Sequence, residues 1–105
     1  MKYNGQVKVT VTKRAEKSLA RVPRHVAVNF LLWKKEVEAH GLETVQKIPG
    51  YHDEPLKGKM HDVHSIRLGL GYRAYYRIDK GEVRTLTVEE VNKHDYKAIE
   101  RLLGK

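Results

Sequence analysis

The chain has 105 residues, with 21 Lys or Arg against 13 Asp or Glu, a formal net charge of +8, and no cysteine. That length builds one modest core and not two, and the absence of cysteine excludes disulfides and cysteine-ligated zinc, as suits an intracellular protein. The longest apolar run, Val26 to Trp33, is broken by Asn29 and is too short to cross a membrane, and the first residues lack the apolar stretch of a secretory signal. A soluble, cytoplasmic protein with no membrane association is expected, and its basic excess draws it towards phosphate backbones or acidic partners.

Gln6 to Thr12 alternates strictly: Val7, Val9 and Val11 fall on one side, and Gln6, Lys8, Thr10 and Thr12 on the other, as in a half-buried strand. Thr12 suits the cap of a helix whose apolar stripe is Ala15, Leu19 and Val22. Pro23 fits the first turn of a second helix, which runs to about His40 and stops at Gly41. Val26, Phe30, Trp33 and Val37 form its core stripe, widened by Ala27 and Leu31, while Lys34, Lys35, Glu36 and Glu38 face away. Leu42 to Ile48 predicts a short helical turn ended by Pro49-Gly50, and the loop from Tyr51 to Asp62 follows. Strands are predicted over Val63–Leu70, Tyr72–Ile78 and Glu82–Val91, joined by a tight turn at Gly71 and by Asp79-Lys80-Gly81. A last helix, His94 to Leu103, carries Tyr96, Ile99, Leu102 and Leu103 on one stripe. The order β-α-α-β-β-β-α describes a single α+β domain over residues 1–105, an antiparallel-rich sheet packed on two helices.

Side chains alternate across a strand. Tyr72, Ala74, Tyr76 and Ile78 therefore share one face, and Arg73, Tyr75 and Arg77 the other. In the preceding strand Ile66, Leu68 and Leu70 are apolar, leaving Ser65, Arg67 and Gly69 opposite. If the apolar faces meet the helices, Arg67, Arg73, Tyr75 and Arg77 stand together on an exposed face with no acid. Guanidinium forks suit phosphate oxygens and a tyrosine ring suits a base, although an ordinary solvated sheet face has the same outline. Glu54, between Asp53 and Pro55 and ahead of Lys57 and Lys59, is either a base for a ribose hydroxyl or a salt-bridged loop acid. His94 and Tyr96 are either a proton donor and a stacking ring, or a helix cap and a packing residue. His61, Asp62 and His64 cluster without the spacing of a zinc motif, and Gly69-Leu70-Gly71 lacks the strand–turn–helix context of a phosphate loop. Neither a metal nor a cofactor is expected.

The element order, together with Glu54-Pro55-Leu56-Lys57-Gly58, Ser65-Ile66-Arg67-Leu68, Tyr72-Arg73-Ala74-Tyr75-Tyr76 and Val91-Asn92-Lys93-His94-Asp95-Tyr96, resembles the RelE/ParE superfamily of bacterial toxins. Within it the likeness is greatest to the RelE/HigB/YoeB-like messenger-RNA interferases; it covers nearly the whole chain and is most specific over residues 54–96. The resemblance implies a microbial RNase-like fold, neutralisation by a cognate antitoxin protein, and metal-independent cleavage of mRNA, usually in the ribosomal A site. It places Glu54 where YoeB-like members keep a catalytic glutamate, and Lys57 at a basic position of the same loop. Arg67 and Arg73 match strand arginines that hold the scissile phosphate, and His94 and Tyr96 match a C-terminal histidine and tyrosine. Lys59, Tyr75 and Arg77 complete the expected RNA-binding set. The chain departs from the pattern in separating His94 from Tyr96 by Asp95 and in continuing past Tyr96. Two other functions fit the same outline: ParE-like toxins poison DNA gyrase without cleaving RNA, and an Arg/Tyr face alone makes a non-catalytic RNA-binding module.

Overall fold

The structure, a computed structural model, describes residues 7–58, 62–80 and 84–93. The expected closing helix, with His94 and Tyr96, lies outside the described residues, as do Lys59 and His61. The elements are β1 (Val7–Val11), α1 (Lys13–Leu19), α2 (Arg24–His40), α3 (Leu42–Gln46), β2 (Glu54–Pro55), β3 (Val63–Gly69), β4 (Tyr72–Lys80) and β5 (Arg84–Lys93). A 3₁₀ turn, Pro49–Tyr51, leads into β2. The sheet order is β1-β5-β4-β3-β2, with β1 parallel to β5 and every other pair antiparallel.

The local signals act as their chemistry requires. Thr12 is extended and its hydroxyl accepts from the Ala15 amide at 3.0 Å, closing the first turn of α1. Pro23 sits one position earlier than expected: it caps α2, and its carbonyl accepts from Val26 and Ala27. Gly41 ends α2 at φ 91°, a left-handed conformation that favours glycine, and α3 starts from it.

Val26, Phe30, Trp33 and Val37 of α2 are buried against Ile66, Leu68, Ala74, Tyr76, Leu86, Val88 and Val91 of the sheet. The Trp33 ring lies 6.0 Å from Phe30 and 5.3 Å from Tyr76, centroid to centroid. Leu31 does not widen this stripe: it is 56% exposed and lies beside exposed Val28 and Leu32. Each residue advances about 100° around a helix, which carries Leu31 past the edge of the contact made by Phe30. Leu70 is also outside the core, 96% exposed in the β3–β4 turn, where Gly71 takes φ +80°.

Both sheet edges are partly covered by side chains from α2. Glu38 Oε2 accepts from the Val9 amide of β1 at 3.3 Å. On the other edge, beyond the reach of β2, Asn29 Nδ2 donates to the Leu68 carbonyl at 2.7 Å. The 3₁₀ turn is pinned to α2 by the Tyr51 hydroxyl, which donates to Glu36 Oε1 at 3.1 Å. Burial, and then the hydrogen bond and charge of Glu36, push the Tyr51 phenol up to about 12.

Trp33→Ala is expected to cost about 3–5 kcal/mol by urea unfolding, whereas Leu70→Ser is expected to stay within about 0.5 kcal/mol. A phenol whose folded pKa exceeds its unfolded value keeps its full stabilisation below the unfolded value and loses it as pH rises. Stability should therefore fall from pH 10 upwards through about 12. Tyr51→Phe should remove part of that slope in denaturation curves measured across this range.

Candidate active site

The face of the sheet opposite the helices is organised by cross-strand pairs. Glu54 of β2 pairs with Ser65 of β3, and Arg67 of β3 pairs with Arg73 of β4, which in turn pairs with Asn92 of β5. Arg67 is exposed, and among the described residues it has no ion-pair partner. Arg73 is only 6% exposed and leans towards β2. Its Nε donates to Ser65 Oγ at 3.1 Å, its Nη2 donates to the His52 carbonyl at 3.0 Å, and Nη2 stands 3.9 Å from Glu54 Oε2. A guanidinium this buried needs such partners, because an unpaired charge out of water is costly.

Glu54 is flanked on both oxygens: its Oε1 is 3.6 Å from His52 Nε2, and its Oε2 faces Arg73. His52 holds φ 47° and ψ 52°, a left-handed conformation that costs a non-glycine residue about 1–2 kcal/mol. Its amide donates to Pro49 and its carbonyl accepts from Arg73, so both sides of the strained residue are held. A β-bulge between Arg67 and Gly69 bends β3 where the arginine pair ends. There a cavity of about 330 Å³ is lined by Arg67, Gly69, Leu70, Gly71, Tyr72 and Arg73. Lys93 Nζ lies 5.8 Å from the centre of the Tyr72 ring. Arg67 and Arg73 line this open volume, while Glu54 and His52 lie on the β2 side of Arg73 and are not among its lining residues. Guanidinium groups suit an anion, and a carboxylate or imidazole can move a proton.

On the helix-packed face, Asp53 is held by a second set of contacts. Its Oδ1 lies 2.8 Å from His64 Nδ1, and its Oδ2 accepts from the Tyr76 hydroxyl at 2.6 Å. Gln46 Nε2 reaches the same hydroxyl at 3.3 Å, and the His64 and Tyr76 rings stack at 5.3 Å. Burial, followed by the charge and hydrogen bond of Asp53, keeps the Tyr76 phenol far above its ordinary range, so it remains a donor.

The expected exposed face is thus corrected in part. Tyr75 is fully buried with Leu56 and Val63, so in this conformation its ring is not presented for stacking. Arg73 is buried as well. Arg77 is paired with Asp62 and with Glu89, whose Oε2 lies 3.4 Å from Arg77 Nε. Glu89 is the residue left over at the β-bulge in β5, where Tyr75 pairs with Glu90 and Tyr76 with Val88. The absence of acids on the faces of the two predicted strands, Val63–Leu70 and Tyr72–Ile78, said nothing about β5, and β4 itself runs on through Asp79 to Lys80. Lys57 is exposed on the loop after β2. Sequence reasoning missed His52, Asp53, His64, Tyr76 and Asn92. Only Asn92 carried a readable signal, its place on a strand neighbouring the arginines; Asn92 Oδ1 is buried with no hydrogen-bond partner among the described residues. Among the described residues no group of His, Asp and Glu side chains could hold a metal ion, and no helix is long and apolar enough to cross a membrane.

No protein-family model and no curated protein matches the chain. Solved structures do. A YoeB/ParE toxin from Agrobacterium tumefaciens is 19% identical at a TM-score of 0.61, the match covering 84% of this chain and 99% of that one. The RelBE2 toxin–antitoxin complex from Mycobacterium tuberculosis contains a chain 22% identical at a TM-score of 0.61, covering 83% of this chain and 96% of that one. YafQ from E. coli is 11% identical at a TM-score of 0.66, covering 90% of this chain and 98% of that one. The backbone fold and the length therefore agree across chains of very different sequence, and the protein has the α+β fold of the RelE/YoeB/YafQ-type toxins.

Proposed function

We propose that the chain is the toxin of a type II toxin–antitoxin pair, a metal-independent endoribonuclease that cuts mRNA in the ribosomal A site and so stops translation. The observation that carries this reading is the Arg67–Arg73 cross-strand pair with Glu54 3.9 Å from Arg73. Like charges directly opposite one another on a sheet repel, and an anion seated between them relieves that repulsion. A phosphodiester supplies one, and the neighbouring carboxylate supplies a base.

In the proposed reaction Glu54, or Lys57 or Lys59, takes the proton of the ribose 2′-hydroxyl. The 2′-oxygen bonds to the adjacent phosphorus, the bond from phosphorus to the 5′-oxygen breaks, and a 2′,3′-cyclic phosphate and a 5′-hydroxyl result. Arg67 is the exposed contact for the charge that develops on the phosphate oxygens, an electrostatic contribution that usually dominates such reactions. Arg73 acts from behind, binding Glu54 and the His52 carbonyl. His94, or alternatively Tyr96 or an arginine, protonates the leaving oxygen, and the His52 imidazole stands 3.6 Å from Glu54. The antitoxin partner is supported by the M. tuberculosis neighbour, itself described as a toxin–antitoxin complex.

Primer extension on mRNA from cells expressing the chain tests the reading: cuts inside translated codons support it. Growth arrest with intact mRNA and damaged DNA would instead indicate a gyrase poison, and growth without either effect a passive binder. Arg67→Ala should lower cleavage on the order of a hundredfold while leaving the melting temperature unchanged, because the side chain is exposed. Arg73→Ala should lose cleavage and also about 1–3 kcal/mol of stability, since Ser65 and the His52 carbonyl lose their donor.

A further inference from the structure

Strand β2 is two residues long, and one of them, Pro55, has no amide hydrogen to give to the sheet. Its pairs are Glu54 with Ser65 and Pro55 with His64, flanked by a bond from the Leu56 amide to the Val63 carbonyl at 2.8 Å. A two-residue strand with a proline in it contributes little of its own to holding a register. A slip of one residue sends every side chain to the opposite face. Here the consequence is chemical, because the neighbour of Glu54 is another carboxylate. Slipped by one, the chain would turn Asp53 towards Arg73 and Glu54 towards the helices.

We propose that Asp53 is a positioning residue: clasped by His64 and Tyr76 on the helix-packed face, it selects the register in which Glu54, and not Asp53, faces Arg73. Its side chain is 3% exposed, with one oxygen on His64 Nδ1 at 2.8 Å and the other on the Tyr76 hydroxyl at 2.6 Å. Both partners are fixed from elsewhere. Tyr76 is fully buried on the central strand with its ring against Trp33, and His64 stacks on Tyr76. In this register His64 is the cross-strand partner of Pro55, and Asp53, two residues before Pro55, falls on the same face as His64. Arg73 then takes the His52 carbonyl and Glu54 from the other side, so residues 52, 53 and 54 are gripped alternately from the two faces of the sheet. The proposal rests on the reading of Glu54 as the base, but the register it describes can be observed without any assay of activity.

The test is NMR and RNA-cleavage kinetics on the full chain carrying Asp53→Asn or Tyr76→Phe. The phenylalanine variant keeps the ring against Trp33 and His64, and it carries the test if the asparagine variant unfolds. Expected are a weakened nuclear Overhauser contact between Glu54 and Ser65, and doubled or broadened amide signals confined to residues 52–56 and 63–65. The kcat should fall about a hundredfold with KM unchanged, as a misplacement of about 1 Å at a reacting group does. A single, unshifted set of amide signals in both variants overturns the clasp. A changed register with unchanged kcat overturns the positioning role. A changed register in a chain whose parent cleaves no RNA upholds the clasp and removes the ribonuclease reading instead.

Discussion

Strand β4 is paired on both sides and buried on both faces over Arg73–Tyr76, and the rest of the structure depends on that constraint. Ala74 and Tyr76 are given to the helices, Arg73 and Tyr75 to the opposite face. Because the strand cannot yield to either side, the polar atoms of Arg73 and Tyr76 become fixed points in the interior. The loop entering β2 is built on them: Tyr76 holds Asp53, and Arg73 holds the His52 carbonyl and stands beside Glu54. A strained residue and a very short strand persist there because the surrounding structure over-determines them.

Burial divides the cations of this basic chain into different kinds. Arg73 is committed to Ser65, His52 and Glu54, and its charge reaches a ligand mainly through what it positions. Arg77 is neutralised by Asp62 and Glu89. Arg67 remains exposed beside the open volume at the β3–β4 turn. A net positive charge draws polyanions from a distance, but the exposed guanidinium surface on this face is narrower than the number of strand arginines suggests.

Most of the architecture was legible because periodicity reports burial directly. The alternation of Val7, Val9 and Val11 and the spacing of Val26, Phe30, Trp33 and Val37 led to the right elements and the right buried faces. Failures occurred where one strand's pattern was taken as the whole environment. Tyr75 looked exposed because its alternation places it opposite the helices, yet Leu56 and Val63 pack on it there. Glu89 was missed because a bulge breaks the alternation of β5. The Asp53–His64 contact joins residues 11 apart across a loop whose path no local preference dictates.

Only the family resemblance brought Glu54 to the strand arginines; by itself the sequence determined most of the described elements, which face of each strand meets the helices, and that Arg67 and Arg73 share the other face. These follow from side-chain period and turn chemistry, which are local. Only the tertiary structure decided which of those groups are buried, which acids neutralise which arginines, and that Asp53 and Glu54 point to opposite faces. Pairing register and burial are properties of several segments at once, and no single segment encodes them.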